Sequence, residues 1–403
     1  MTTPPALLRD PAFLRLWAGT TASGLATWAL PFLLALAVLD GGLSALDLGV
    51  ALAARTAGFL VAVPVAGVLA DRHSRRAVVG WSAGAAAVAS PAIAAGLCGS
   101  MALVAVAAAV VGTGQGACRP AFQALTAEIV HADRRQQANA AITLAVRVSV
   151  LVAPGATALL ALAVDLRALV DATGALWVLA AALPPRGAAR SRTGRAGASF
   201  PRELGEGLAE ARRHRWFTAG LGALTAVIAT GYSATAVVLP LVARDRYGSE
   251  AVLAAATTAY PAGALLGALL IARWRPRAPG WVAMAGLGLY ALAPLALLLP
   301  VPAAVLVAAY VLVGVGIELF NVPWFTALQR EVEPRLLARV SSVDFLLSYG
   351  LAPLGLALIA PALDAFGTAA TLLACAVVCA LGPAAAALAP GARGFSRPRP
   401  QEA

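Results

Sequence analysis

Long apolar runs alternate with short polar stretches along the whole chain. The apolar core of a membrane is about 30 Å thick, and an α-helix needs roughly 20 apolar residues to cross it. Runs of that kind predict helices at residues 13–39, 47–70, 77–97, 101–127, 138–164, 166–183, 215–243, 251–273, 279–299, 302–328, 339–362 and 367–390. The pattern therefore predicts an all-α membrane protein with twelve transmembrane helices.

A polar stretch rich in Arg, Gly, Ala and Ser separates the first six predicted helices from the last six. It spans residues 184–215, and its part from 200 onward has the composition of a short amphipathic helix at the membrane surface. We therefore predict a first six-helix half at 1–183, a cytoplasmic linker at 184–214, a second six-helix half at 215–390 and a cytoplasmic tail at 391–403.

An internal repeat relates the two halves. The pattern P-x-F-x-A-L-x-x-E-[IV] occurs at 120–129 and again at 323–332, an offset of 203 residues. The same offset pairs Glu318 in the tenth helix with Gln115 in the fourth. Two related six-helix halves are typical of secondary transporters, in which a substrate site lies between the halves and access alternates between the two membrane sides. The repeat thus predicts two pseudo-symmetric halves.

The composition excludes the soluble classes of protein. Hydrophobic residues make up 60% of the chain and charged residues 12%, and the mean hydropathy is +0.82, which a water-covered surface does not permit. All 30 basic residues are arginine, and because most lie in short loops, the net charge of +11 indicates membrane topology and not nucleic-acid binding. We predict the cytoplasmic (inner) membrane, with both termini in the cytoplasm.

The cysteines and histidines do not indicate a metal or a cofactor. Cys98, Cys118, Cys375 and Cys379 lie in or beside apolar runs without histidines at metal-ligand spacing, and the three histidines fall in polar loops. We therefore expect small buried thiols and no disulfides, no metal site and no cofactor.

A polar loop at residues 67–76 joins the second and third predicted helices. It contains Gly67, Asp71, Arg72, Arg75 and Arg76. A glycine lets two helices approach closely, a carboxylate is favourable near a helix N-terminus, and arginines favour the cytoplasmic side. These residues predict a tight cytoplasmic loop between two spanning helices, and an ordinary positively charged loop is the simpler interpretation.

Five ionisable residues fall inside predicted helices: Arg55, Arg119, Arg147, Glu318 and Asp344. Each costs roughly 2.5–3.5 kcal/mol at membrane depth on insertion scales, so each needs a partner or a function. Glu318 lies nearest to the middle of a helix and is therefore the first candidate for proton coupling, with Asp344 next. A structural hydrogen bond between helices is the alternative for both acids.

Polar and aromatic residues within the helices are candidates for the wall of a substrate cavity. They are Thr20, Ser23, Thr27, Gln115, Tyr232, Tyr260, Asn321, Trp324 and Tyr349. A side chain of this kind has a simpler alternative, which is to satisfy a backbone carbonyl or, for a tryptophan, to pack in the core.

The motifs resemble those of the major facilitator superfamily, and in particular its drug-exporter branch of twelve-helix proton antiporters common in actinobacteria. The matching residues are the G-x-x-x-D-R-x-x-R-R loop at 67–76, the P-A-F-Q-A-L-x-x-E run at 120–128, the A-N-A run at 138–140 and Leu-Trp at 16–17. The resemblance implies that Asp71 locks the second helix against the eleventh and that Arg72, Arg75 and Arg76 complete a gating loop.

Three positions depart from the pattern of that branch. Ser74 stands where the loop usually has a glycine, Gly112 stands where the fourth helix has an arginine, and the fifth helix keeps only Pro154 and Gly155 of the antiporter motif. The proton-transfer role of the missing arginine therefore passes to no residue of this chain.

These observations together predict a secondary active transporter and not an enzyme, because no nucleophile, base and metal ligand share one depth in the helices. The expected activity is proton-coupled efflux of an apolar or amphipathic small molecule by alternating access. A proton-coupled importer or a uniporter of a metabolite is the alternative, and a polytopic membrane enzyme or sensor is the alternative from another class. We expect a monomer whose partners are its small-molecule substrate, protons and membrane lipids, with no nucleic acid.

Overall fold

The computed structural model describes residues 7–40, 42–187, 200–350 and 352–396, and the regular elements in these residues are all helical. The helices are α1 Pro11–Leu39, α2 Ala45–Arg72, α3 Arg75–Gly96, α4 Met101–Ile129, α5 Arg135–Ala161, α6 Leu166–Ala182, α7 Phe200–Arg213, α8 Arg215–Val227, α9 Ser233–Asp245, α10 Glu250–Arg273, α11 Pro279–Gly288, α12 Leu292–Leu298, α13 Ala303–Glu331, α14 Leu337–Gly350 and α15 Ala352–Ala387. The prediction of an all-α fold is confirmed.

Each predicted transmembrane segment falls on helix, and several segments are interrupted. A π-helical turn, Ile228–Tyr232, joins α8 to α9, and a 3-10 turn, Leu289–Ala291, joins α11 to α12. α15 breaks at Gly367, whose φ of 78° is not helical. Among the described residues, ten helices are long and apolar enough to cross a membrane, and α6 and the predicted segment 339–362 are not among them.

Polar residues between the apolar runs fix where the helices begin. Asp10, Ser44, Ser74, Ser100 and Asp165 each precede a helix, and the side chain of each accepts a hydrogen bond from a backbone N–H of the first turn. This satisfies one of the donors that a helix start leaves without a partner. The departure at Ser74 is explained in this way, because a glycine there would have no side chain to cap α3.

The first compact unit comprises the described part of Met1–Leu208 together with Val332–Val343. Within it α2 and α3 pack on α4, α3 packs on α6, and α1 packs on α5 and α6. The contact of α2 with α4 is backbone against backbone: a Cβ on Gly112 would overlap the carbonyl oxygen of Arg55, and one on Gly116 would lie 2.6 Å from that of Phe59. An arginine at position 112 has no room in this packing.

The second compact unit comprises the described part of Ala209–Glu331 together with Asp344–Ala403. Here α10 and α11 pack on α13, and α8 packs on α15. The same kind of contact recurs, because a Cβ on Gly314 of α13 would overlap the carbonyl oxygen of Tyr260 on α10. Gly316 meets Gly286 of α11 just as Gly114 meets Ser82 of α3. The internal repeat is therefore visible in the packing of each unit.

These glycine contacts correct one detail of the sequence repeat. Gly112 corresponds to Gly314 and Gly114 to Gly316, which is an offset of 202 (314 − 112 and 316 − 114) and not the 203 of the P-x-F motif. One additional residue therefore lies between Gly316 and the motif in α13. One residue turns a helix by about 100°. The position corresponding to Glu318 is Gly116 when counted from these glycines and Gln115 when counted from the motif.

The segment 391–396, which we call the docked tail, folds back onto the second unit. Phe395 is fully buried although its φ of 49° is unusual for a side-chain-bearing residue. Arg330 donates to the carbonyl oxygens of Gly394 at 2.9 Å and Phe395 at 3.1 Å, and the N–H of Gly280 donates to Arg393 O at 3.0 Å. The sequence predicted only a cytoplasmic tail here.

We expect Phe395→Ala to destabilise the second unit by about 3 kcal/mol, the usual scale for removing a buried phenylalanine side chain. Phe366 on α15 is a matched control, because its side chain is 73% exposed. Thermal unfolding of the purified protein in detergent measures both variants. If Phe395→Ala unfolds at the same temperature as Phe366→Ala, the docked tail contributes no stability.

Candidate functional site

The predicted loop 67–76 covers the end of α2 and the start of α3, and Arg75, the first residue of α3, is buried with 2% of its surface exposed. Its Nη1 donates to Ala124 O at 2.9 Å and pairs with Glu128 Oε1 at 2.8 Å, both on α4. Its Nη2 donates to the carbonyl oxygen of Pro334, just before α14. Arg75 thus connects α3, α4 and the segment that leads into α14.

Of the other charged residues predicted for this loop, Asp71, Arg72 and Arg76, only Arg76 has a described side chain. Arg76 is half-buried and donates to Ala182 O at 3.2 Å, at the end of α6. Asp71 and Arg72 end α2, but their side chains lie outside the described residues. The sequence favoured Arg72, which follows the acid directly, and the burial of Arg75 leaves no trace in the pattern.

Gly67 lies against the first turns of α14. A Cβ on Gly67 would overlap Ser342 Oγ and would lie 2.9 Å from Arg339 Cα and 3.0 Å from Ala338 O. The glycine thus permits the contact between α2 and α14, because any side chain there would separate the two helices.

We expect Gly67→Ala to slow transport at least several-fold, because α14 must move to admit the methyl group. Gly84 on α3 is the control, since nothing lies within 4 Å of a Cβ placed there. Ser342→Ala in combination with Gly67→Ala removes the most severe overlap and should restore part of the rate. Uptake by membrane vesicles measures all three, and a native rate for Gly67→Ala would show that this contact does not limit transport.

The predicted amphipathic linker helix exists as α7, and it also contacts α14. Arg339 Nη1 pairs with Glu206 Oε2 at 3.0 Å, and a Cβ on Gly207 would lie 2.7 Å from Arg339 Cβ. Arg339 was not among the predicted site residues, because position 339 coincides with the start of a predicted helix and belongs to no motif. α2, α7 and the loop before α3 therefore all meet the segment 332–343.

Arg55 joins three helices of the first unit. Its Nη2 donates to Thr27 O on α1 at 3.0 Å and to Gln115 Oε1 on α4 at 2.6 Å. The sequence predicted Arg55, Thr27 and Gln115 as separate candidates, and the structure brings them together. Thr20 donates to Leu16 O at 2.9 Å, which is the backbone alternative, and Ser23 is half-buried.

Two more of the ionisable residues predicted inside helices, Arg119 and Arg147, lie in this unit. The guanidinium of Arg119 sits over the ring of Phe59, 5.6 Å from its centroid, in a cation–π arrangement. Arg147 on α5 is half-buried. Phe59 lies one turn from Arg55 on α2, and Arg119 lies one turn from Gln115 on α4, so Arg119 and Arg55 lie on neighbouring turns.

Both candidate acids lie in the second unit and are buried. Glu318 has no exposed surface and is the sixteenth of the 29 residues of α13. Asp344 on α14 is 1% exposed, and its Oδ1 accepts a hydrogen bond from Trp324 Nε1 at 2.9 Å. Asp344 therefore has the interhelical hydrogen bond that was its structural alternative.

Trp324 packs inside an aromatic cluster. Its ring stacks on those of Phe217 and Phe320, each at 5.1 Å between centroids, and meets Trp216 and Phe395 edge to face at 5.5 and 5.6 Å. The side chain has no exposed surface. This placement favours core packing over a position in a cavity wall.

The tyrosine candidates lie around the π-helical turn of the second unit. Tyr232 ends that turn and is 46% exposed, and Tyr260 is half-buried with its ring 6.4 Å from that of Tyr290. Tyr290 and Tyr310 are buried and were not among the predicted candidates. Asn321 is half-buried, and the side chain of Tyr349 lies outside the described residues.

Comparison with known proteins identifies the family. The profile of the Major Facilitator Superfamily matches residues 16–352. The crystal structure of the human organic anion transporter MFSD10 (TETRAN) is similar over 95% of this chain and 100% of that one, with a TM-score of 0.77 and 15% sequence identity. No curated protein sequence matches significantly. The chain therefore belongs to the Major Facilitator Superfamily and is a multi-pass membrane transporter, not an enzyme.

Proposed function

We propose that the chain exports an apolar or amphipathic small molecule across the cytoplasmic membrane in exchange for protons. The observation that supports this most directly is Glu318, a carboxyl group without exposed surface in the middle of a long apolar helix. An acid at that depth is costly and usually marks an ion or substrate pathway. The motifs that resemble twelve-helix drug exporters support the direction of transport.

The topology belongs to the same proposal. α6 and the segment 339–362 would complete twelve crossings, with the boundaries of halves, linker and tail as the sequence predicts. Both termini would then be cytoplasmic, since that orientation leaves only Arg167, Arg244 and Arg246 in loops on the other side. We expect the transporter to act as a monomer.

A gate on the cytoplasmic side is the second element. The contacts of Gly67 with α14 and of Arg75 with Pro334 O would form when that side closes and separate when it opens. Asp71, Arg72 and Arg76 would take part as the family resemblance implies. Such a gate is the two-state element that alternating access requires.

The function is tested with inverted membrane vesicles whose interior is acidified. We use ethidium and naphthalene-2-sulfonate as amphipathic probes, because their charges do not change with pH. An exporter should accumulate at least one probe inside vesicles that contain the protein, and nigericin, which collapses the pH gradient, should release it. Vesicles from cells without the protein are the control.

Two outcomes would change the proposal. Accumulation only when the pH gradient is reversed would indicate the importer. Equilibration without accumulation, unaffected by nigericin, would indicate a uniporter. The human structural neighbour is an organic anion transporter, but at 15% identity the similarity concerns the fold, so the probes include both signs of charge.

A further inference from the structure

Arg55 is a half-buried arginine whose hydrogen-bond acceptors are uncharged. Among the described residues they are a backbone carbonyl, Thr27 O, and an amide oxygen, Gln115 Oε1, and both bonds come from Nη2. The Nε is buried and has no acceptor in the described part of the chain. A guanidinium stays charged in proteins and offers five donors, so most of its capacity to bind an anion is unused.

The direction of the side chain excludes exposure to lipid as an explanation. Arg55 lies on α2, and its guanidinium reaches α1 and α4 at the same time, so it points into the helix bundle of the first unit. The carbonyl oxygen of Arg55 is held by the close approach of Gly112, which fixes the backbone from which the side chain extends. The guanidinium of Arg55 therefore has a defined position among α1, α2 and α4.

The electrostatic surroundings favour an anion. The guanidinium of Arg119 sits over Phe59, one turn along α2 from Arg55, so a second positive charge lies near the first. Two like charges in a medium of low dielectric constant destabilise each other, and a bound anion between or beside them removes that cost. Charge-assisted hydrogen bonds from a guanidinium to a carboxylate, sulfonate or phosphate group are among the strongest available.

We propose that Arg55 binds an anionic group of the transported molecule, with Gln115 and Thr27 O orienting the guanidinium. The inference rests on the proposed transport function, because it assigns the substrate of that function to the class of amphipathic anions. The alternative is that Arg55 only ties α1, α2 and α4 together. The two differ in what happens when a carboxylate replaces the amide of Gln115.

The test compares naphthalene-2-sulfonate with the neutral naphthalene-2-sulfonamide, which has nearly the same shape. Binding to the purified full-length protein in detergent is measured by calorimetry. We expect the native protein to bind the sulfonate about tenfold or more tightly than the sulfonamide, the scale of one charged hydrogen bond. Arg55→Gln should abolish this preference, and Arg55→Lys should retain part of it.

Gln115→Glu is the decisive variant. It preserves shape and places a carboxylate at the contact where Gln115 Oε1 now lies 2.6 Å from Arg55 Nη2, so an internal anion competes with the probe. Sulfonate binding should weaken about tenfold or more relative to sulfonamide binding, and an unchanged unfolding temperature reports an intact fold. Gln136→Glu, at the start of α5, adds the same charge elsewhere and should leave both affinities unchanged.

A native protein with equal affinity for the two probes, including none for either, contradicts the proposal. So does a Gln115→Glu or Arg55→Gln protein that keeps the preference for the sulfonate. Because binding is measured without a gradient, a failure of proton coupling in the vesicle experiment leaves this result unaffected. The failure of the anion site and the failure of the proposed export are therefore distinguishable.

Discussion

Arg75→Gln is expected to abolish transport while the protein is still inserted in the membrane. The variant leaves Glu128 without the partner that now lies 2.8 Å away, and it removes the donors to Ala124 O and Pro334 O. Removing one partner of a buried ion pair typically costs about 3–5 kcal/mol. Initial rates of probe uptake by inverted vesicles, normalised to the amount of protein in the membrane, measure the effect.

Arg76→Gln is the matched control for this experiment. Arg76 follows Arg75 directly but is half-buried, and its Nη2 donates to Ala182 O at 3.2 Å. It should retain most of the native rate. Similar rates for the two variants would mean that the charge of the loop matters and the burial of Arg75 does not.

Glu318→Gln is expected to eliminate accumulation driven by a pH gradient and to preserve downhill exchange. Glutamine keeps the shape and hydrogen-bonding capacity of the side chain but cannot release a proton. The measurement compares the final probe concentration under an imposed gradient with the rate of exchange when no gradient is present. Loss of the first and retention of the second assigns proton coupling to Glu318.

Glu331→Gln, at the end of the same helix, is the control for removing a carboxylate, since Glu331 pairs with the neighbouring Arg330 at 2.8 Å. It should accumulate the probe normally. If Glu318→Gln also accumulates the probe, Glu318 has a structural role, and Asp344→Asn becomes the variant to test. Because Asp344 accepts a hydrogen bond from Trp324, that substitution would also perturb the aromatic cluster.

The helices could be predicted because the thickness of the membrane imposes a length on each apolar run. The sequence motif also revealed the repeat, since both copies retain the same proline, phenylalanine and glutamate. The offset of the motif could not reveal the additional residue in α13. That residue lies between Gly316 and Pro323, and the contacts of Gly314 and Gly316 reveal it.

The candidate site was predicted in part. Arg55, Thr27 and Gln115 were each recognised as polar residues within apolar runs, but their mutual contact depends on how three helices pack. Arg339 and Phe395 gave no signal, because an arginine at a helix start and a phenylalanine in a polar tail are common in any sequence. The burial and contacts of these residues depend on residues that are distant in the sequence, and the local pattern does not show them.

The glycine contacts within each unit also determine where the protein is stiff. α2 with α4, and α10 with α13, touch through backbone atoms and leave little side-chain volume between them that could rearrange. The π-helical turn Ile228–Tyr232 lacks the regular hydrogen-bond spacing and is the kind of element at which helices bend. We therefore expect the second unit to bend mainly at this turn, beside the exposed ring of Tyr232. The two helices of each glycine-packed pair should keep their positions relative to each other.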